Sequence, residues 1–332
     1  MLVQRARAVA VNPESHSARY FALLYAAPAE RPALEALFGI EREVLDSVRP
    51  GLDHHVAHSR LQWWREECER AARGSAAHPL TRALITALGD SQEKSVPQLA
   101  GLCGIVDVAT WDLASATFET RRELDAYCQR WAVAMIEPLV AASTRAVVTA
   151  AAPMSPTANR LPTSADARPA FAGAGPTSAD AEAAAAVPPP SASASAWQDL
   201  GAAICEIELL AGLAFHAHQG RIRLPLDELE SANVDTNSLA RPPWPETAAA
   251  LIRGRLMFLR NEIERSVAGS NREQQQALRG LLVWAALLWR TAQRMERALP
   301  NRPQPGRFDG IGDAWFAWRN ARRATVGRFR LN

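Results

Sequence analysis

The segment that most restricts this chain runs from Gly280 to Trp289, GLLVWAALLW, uncharged throughout and bounded by Arg279 and Arg290. It is half the length a bilayer crossing needs, about 20 residues, so it belongs inside a protein. It lies in a longer helical pattern, Asn271 to Leu299, and is apolar nearly all round at its middle. Such a helix must be surrounded by others, which places it at the centre of a bundle. The neighbouring patterns agree. Ser17 to Ala26 is apolar-rich, and Ala33 to Val48 lines one face with Leu34, Leu37, Phe38, Val44 and Leu45. Asp53 to Arg73, Leu80 to Leu88, Pro97 to Val108, Arg121 to Val148, Trp197 to about His218 and Glu246 to Val267 continue the series, with an acidic helix start at Asp227. Pro28, Pro32 and Pro50-Gly51 punctuate it. No strand pair is legible, and the Ala-, Leu- and Arg-rich composition favours helix.

One stretch breaks the pattern. Between 151 and 195 stand eight prolines, many Ala, Ser and Thr, and a single aromatic, Phe171. Pro188-Pro189-Pro190 and the Ser-Ala repeat after it cannot build a packed face. The expected organisation is therefore one bundle in two parts, 1–150 and 196–332, separated by a disordered insertion over 151–195. Charge is nearly balanced, 37 Lys+Arg against 35 Asp+Glu, and spread along the chain. That gives no electrostatic footprint for nucleic acid. Cys68, Cys103, Cys128 and Cys205 form no C-x-x-C pair and read as buried free thiols. With no apolar leader or long apolar run, the expectation is a soluble, cytoplasmic protein.

Several dispersed pieces together resemble the squalene/phytoene synthase family, the all-α head-to-head prenyl transferases. They are Ser17 with Tyr20-Phe21; Arg31, Ala33 and Ala36-Leu37-Phe38; Arg60-Leu61-Gln62-Trp63-Trp64-Arg65-Glu66-Glu67 with His78-Pro79 and Leu84; Asp112-Leu113, Leu124 and Tyr127-Cys128; and Gly201-x-Ala203 running on to Gly220-Arg221-Ile222-x-Leu224-Pro225. The resemblance lies in their order and spacing over most of the chain. It implies an isoprenoid-synthase-like helical bundle, with the insertion between two family helices. It also implies a chemistry, the ionisation of a prenyl diphosphate whose oxygens bind Mg²⁺ held by carboxylates on two facing helices. Carboxylates three or four residues apart share one helix face, which is why the family needs that spacing.

At the positions of those carboxylates this chain departs from the family. The first motif reads Arg42-Glu43-Val44-Leu45-Asp46-Ser47-Val48-Arg49: Asp46 matches one family aspartate, beside Leu45, and Arg49 replaces another. In the second, counted back from Gly220-Arg221, the acidic positions hold Gly212, Phe215 and His216, and Glu208 stands one turn earlier where the family commonly has Asn. Each 1.4 kcal/mol of lost leaving-group stabilisation is about tenfold in rate. The resemblance therefore points to a degenerate branch, such as the superfamily's mitochondrial complex I assembly factor, which likewise lacks the motifs.

By resemblance, Arg42, Asp46, Tyr127, Glu208, His216 and Arg221 are the candidate substrate-binding residues, with Arg42 and Arg221 able to contact a diphosphate directly. Asp46 is vestigial and no catalytic residue is assigned. Tyr127 would line the prenyl cavity, which Val133 and Ile136, standing where the family has glycines, would narrow. No cofactor is expected, and Mg²⁺ only under an enzyme reading. In the cluster Asp53-His54-His55 with His58, His54 and His58 stand at i,i+4 and are either a two-histidine metal site or part of a helix entry capped by Asp53. His216 and His218 pose the same choice near the second motif. The Trp63-Trp64 pair reads as packing material. The last helix, Asp313 to Leu331, carries Trp315, Phe316, Trp318, Arg319, Arg322, Arg323, Arg328 and Arg330, fit either for a membrane surface or partner, or for closing the bundle. The favoured function is a non-catalytic or divergent member binding an isoprenoid diphosphate or a partner protein. The alternatives are an active Mg²⁺-dependent prenyl transferase and an assembly factor with no ligand.

Overall fold

The structure is a computed structural model describing residues 17–49, 51–89, 96–151, 192–301 and 311–331. Among them there are helices and no strand. The elements are α1 (Ala18–Tyr25), α2 (Arg31–Asp46), α3 (His54–Ala72), α4 (Pro79–Ala87), α5 (Gly104–Leu113), α6 (Arg121–Ala151), α7 (Ala192–Ala211), α8 (Leu213–His218), α9 (Leu226–Ser231), α10 (Glu246–Ala268), α11 (Arg272–Ala277), α12 (Arg279–Ala298) and α13 (Ile311–Thr325), with short 3₁₀ turns at Pro97–Leu99 and Thr236–Ala240. The apolar run sits where the sequence places it. From Gly280 to Trp289 every residue of α12 is buried, and α1, α7, α10 and α13 pack around it.

Local chemistry sets most helix starts. Ser17 accepts from the Tyr20 amide, and Asp53 accepts from those of His55 and Val56, so Asp53 caps α3 as expected. Asn271 and Gln274 form a reciprocal capping box at α11.

Four boundaries differ from the sequence reading. The Asn271–Leu299 pattern divides at Leu278 (φ −103°, ψ 27°) into α11 and α12, because the buried Glu30 carboxylate captures the Gly280 and Leu281 amides at 2.9 and 3.0 Å. The Trp197–His218 pattern divides at Gly212 into α7 and α8. The expected helix at Pro97 starts only at Gly104, after a 3₁₀ turn. The last helix stops at Thr325, and Gly327 (φ +70°) turns the chain so that Phe329 and Leu331 tuck back into the core. The expected insertion, 151–195, lies outside the described residues except at its ends, where helix persists to Ala151 and resumes at Ala192.

Val133 and Ile136 each fill the space over a glycine. Val133 packs on Gly101, and Ile136 fills the notch over Gly201 where α6 meets α7. At the second contact a bare glycine on one helix receives a branched side chain from the other.

Candidate functional site

The polar centre of the bundle is built on Arg19, the one charged residue of α1. Its guanidinium lies between α2 and α7 and joins two carboxylates, with Nη2 donating to Glu41 at 3.1 Å and to Glu208 at 3.0 Å while Nη1 pairs closely with Glu41. Aromatic rings hold the cation in place: its Cζ stands 5.4 Å from the Phe38 centroid and 5.2 Å from that of Trp284. Trp131 donates its indole N–H to Glu41 at 2.9 Å. Burial by itself would lower the Arg19 pKa, but Glu208 and Glu41 outweigh it and raise it. Burial raises that of Glu208, and Arg19 only partly offsets this. The group is therefore a mostly buried cation between two acids, carrying one net negative charge when both are ionised.

Of the residues read from the sequence, only Glu208 joins this centre. Asp46 and Arg42 are exposed on α2. With Glu43, Ser47, Arg60, Trp63 and Trp64, Asp46 lines an open cleft of about 300 Å³ between α2 and α3 that does not include Arg42. Trp64 is buried, while Trp63 is 42% exposed, so the packing expectation holds for one of the pair. Tyr127 is buried in a separate cluster. Its hydroxyl is 3.3 Å from both Asp112 oxygens, and Asp112 pairs with the buried Arg223 at 2.6 Å. Phe118 packs edge-on against the Tyr127 ring.

His216 folds back over the α7–α8 junction. A Cβ added at Gly212 would lie 2.8 Å from its Nε2, so the ring occupies the space a carboxylate at 212 would need. Its Nδ1 is buried without a hydrogen-bond partner. Burial, then Arg223 and Arg221, push its pKa down to about 4, against Asp112, so the ring is neutral at pH 7. Arg221 is half-buried in the turn that follows.

Arg19 and Glu41 were not singled out by the sequence reading, although a signal existed. Glu41 stands among the buried Leu34, Leu37, Phe38 and Val44 of α2, while Leu45, expected on the same face, is 40% exposed; a charge on a core-facing stripe needs a partner.

These donors do not suit Mg²⁺. It requires near-octahedral oxygen ligands with accessible charge. Here the two inner carboxylates are held by a guanidinium. No group of three or more potential ligands occurs among the described residues. His54 and His58 do share a face, with Nε2 atoms 3.0 Å apart, but as a pair. No helix among the described residues is long and apolar enough to cross a membrane. The inner face of α13 closes the bundle through Phe316, Ala317, Asn320, Ala321 and Ala324, while Trp315 and Trp318 stay 52% and 43% exposed.

An all-α bundle with its polar centre between α1, α2 and α7 defines the class, an isoprenoid-synthase fold. The chain belongs to the squalene/phytoene synthase family, whose sequence profile matches residues 13–308. Among solved structures it is similar to a dehydrosqualene synthase in complex with ligand, at 14% identity and TM-score 0.66, covering 91% of this chain and 89% of that one. It is also similar to squalene synthase HpnC from Alicyclobacillus acidocaldarius, at 16% identity and TM-score 0.54, covering 83% and 87%. At such identities the likeness is one of fold. Comparison with curated protein sequences gives no match.

Proposed function

We propose that this chain is a non-catalytic member of its family that acts through its surface by binding a partner. The observation that carries this reading is the Arg19 bridge between Glu41 and Glu208. Two facing helices still present carboxylates inward, but an internal cation neutralises part of their charge and occupies the space between them. A second cation would meet a guanidinium rather than free oxygen ligands, and a diphosphate would meet two acids. The α2–α3 cleft also suits a diphosphate poorly, since Glu43 and Asp46 line it with only Arg60 to oppose them.

The test is turnover. Purified chain, farnesyl or geranylgeranyl diphosphate and Mg²⁺ are expected to release no pyrophosphate above a protein-free control. Mg²⁺-dependent release that disappears in Asp46→Asn or Glu208→Gln would replace this reading with that of an active prenyl transferase.

A further inference from the structure

The start of α3 carries two side chains that take no part in the polar centre of the bundle. Asp53 caps the helix by accepting from the amides of His55 and Val56 at 2.9 and 3.1 Å, which fixes its first turn. His54 and His58 stand four residues apart on this helix, so they share one face. Both are exposed. Their Nε2 atoms are 3.0 Å apart, with ring centroids 4.5 Å apart and ring planes at 84°. Gln62, the next residue along that face, donates to Glu66 at 3.2 Å. The face therefore offers two nitrogen donors and no free third.

The spacing of the rings identifies what they can hold together. A straight N–H···N bond between two imidazoles at this separation would put their centroids about 5.3 Å apart. Two imidazoles on one ion, each with a metal–nitrogen bond of about 2.0–2.1 Å, behave differently. At a right angle their nitrogens stand about 2.9 Å apart and their centroids about 4.5 Å apart. At a tetrahedral angle the two distances become about 3.3 and 5.2 Å. The pair matches the right angle, which is the angle between neighbouring ligands of a square or tetragonal ion.

We propose that His54 and His58 form a two-point chelating site for a divalent transition-metal ion of tetragonal preference, Cu²⁺ foremost and Ni²⁺ next. Each ring gives its Nε2 lone pair. In the metal-free pair one Nε2–H donates to the other ring, and on binding that proton moves to Nδ1 through solvent, so both rings bind as neutral imidazole. The protein supplies two adjacent coordination positions and water fills the rest. Zn²⁺ binds less well, because it prefers the wider angle and ranks below Cu²⁺ for nitrogen donors. Mg²⁺ is not taken, since it requires oxygen ligands. The site is independent of the Arg19 centre and of whether the chain catalyses any reaction.

The experiment titrates Cu²⁺ into the purified full chain by calorimetry, repeats it with Ni²⁺ and Zn²⁺, and records the electron paramagnetic resonance spectrum of the Cu²⁺ form. One Cu²⁺ per chain is expected, with a tetragonal signal split by two nitrogens and affinity in the order Cu²⁺, Ni²⁺, Zn²⁺. Affinity is expected to fall at least about tenfold in His54→Ala and equally in His58→Ala, because each change removes the chelate, and to be unchanged in His55→Ala. Both positions are exposed and alanine is the stronger helix former, so the variants keep α3. Unchanged affinity in either His54→Ala or His58→Ala, a loss in His55→Ala, or a signal split by a single nitrogen would each overturn the proposal.

Discussion

Glu30 shows how much one buried side chain decides in this protein. It is fully buried and accepts from the amides of Ala27, Gly280 and Leu281, so it caps α12 from a distant part of the chain. Burial raises its pKa to about 7 despite those hydrogen bonds and Arg279. A carboxyl shifted upward by folding stabilises fully below its ordinary value of 4.5, and that contribution is lost as pH rises through about 7. His216 does the reverse. Its folded pKa of about 4 gives a contribution present above 6.5 and lost as pH falls through about 4. Urea unfolding of Glu30→Gln and His216→Gln is expected to separate the two. Relative to wild type, Glu30→Gln gains stability as pH rises from about 4.5 to 7, and His216→Gln gains as pH falls from about 6.5 to 4. Parallel curves for all three proteins would remove both assignments. Arg19→Met is expected to cost about 3–5 kcal/mol at neutral pH, because it leaves Glu41 and Glu208 facing each other without a cation. A change under about 1 kcal/mol would mean that the two carboxylates are hydrated rather than dependent on Arg19.

Among the helices, what the sequence reveals depends on how local the cause is. The buried faces of α2 and α12 follow from spacing alone, as does the Asp53 cap, because each is determined within a few residues. The break at Leu278 is invisible in sequence, since leucine is a good helix former and the cause, Glu30, lies some 250 positions away. At the end of α7, likewise, the ring of His216 lies over Gly212, a contact the spacing of residues does not reveal. The outer face of α13 makes its own prediction. Ile311, Trp315, Trp318 and Arg322 follow one another along it, with Arg322 stacked over Trp318 and Arg319 over Trp315, both at 5.2 Å. Tryptophan and arginine anchored in this way suit the boundary of an anionic bilayer. The chain is expected to co-sediment with phosphatidylglycerol vesicles and not with phosphatidylcholine ones, and to lose this in Trp315→Ala/Trp318→Ala or at high salt. Equal binding to both lipids, or none, would assign the face to a protein partner.

Over the molecule as a whole, the fold is that of the family. The family resemblance rests on dispersed pieces, and the fold is shared with a dehydrosqualene synthase at 14% identity. The site was less legible, because residue spacing does not show which side chains packing brings together from distant helices. Arg42, Asp46 and Arg221 share no site with Glu208, and Tyr127 serves the Asp112–Arg223 cluster. Arg19 of α1 and Glu41 of α2 lie outside the segments quoted for the resemblance to the family's carboxylate motifs, and only packing joins Arg19 to Glu41 and Glu208. We propose that this ion triad fills the space in which a divalent metal would otherwise be held. A calorimetric titration of Mg²⁺ with inorganic pyrophosphate into the wild-type chain tests it most directly. The account expects no heat beyond that of the same titration into buffer. Saturable, pyrophosphate-dependent Mg²⁺ binding that is lost in Glu41→Gln or Glu208→Gln would contradict it.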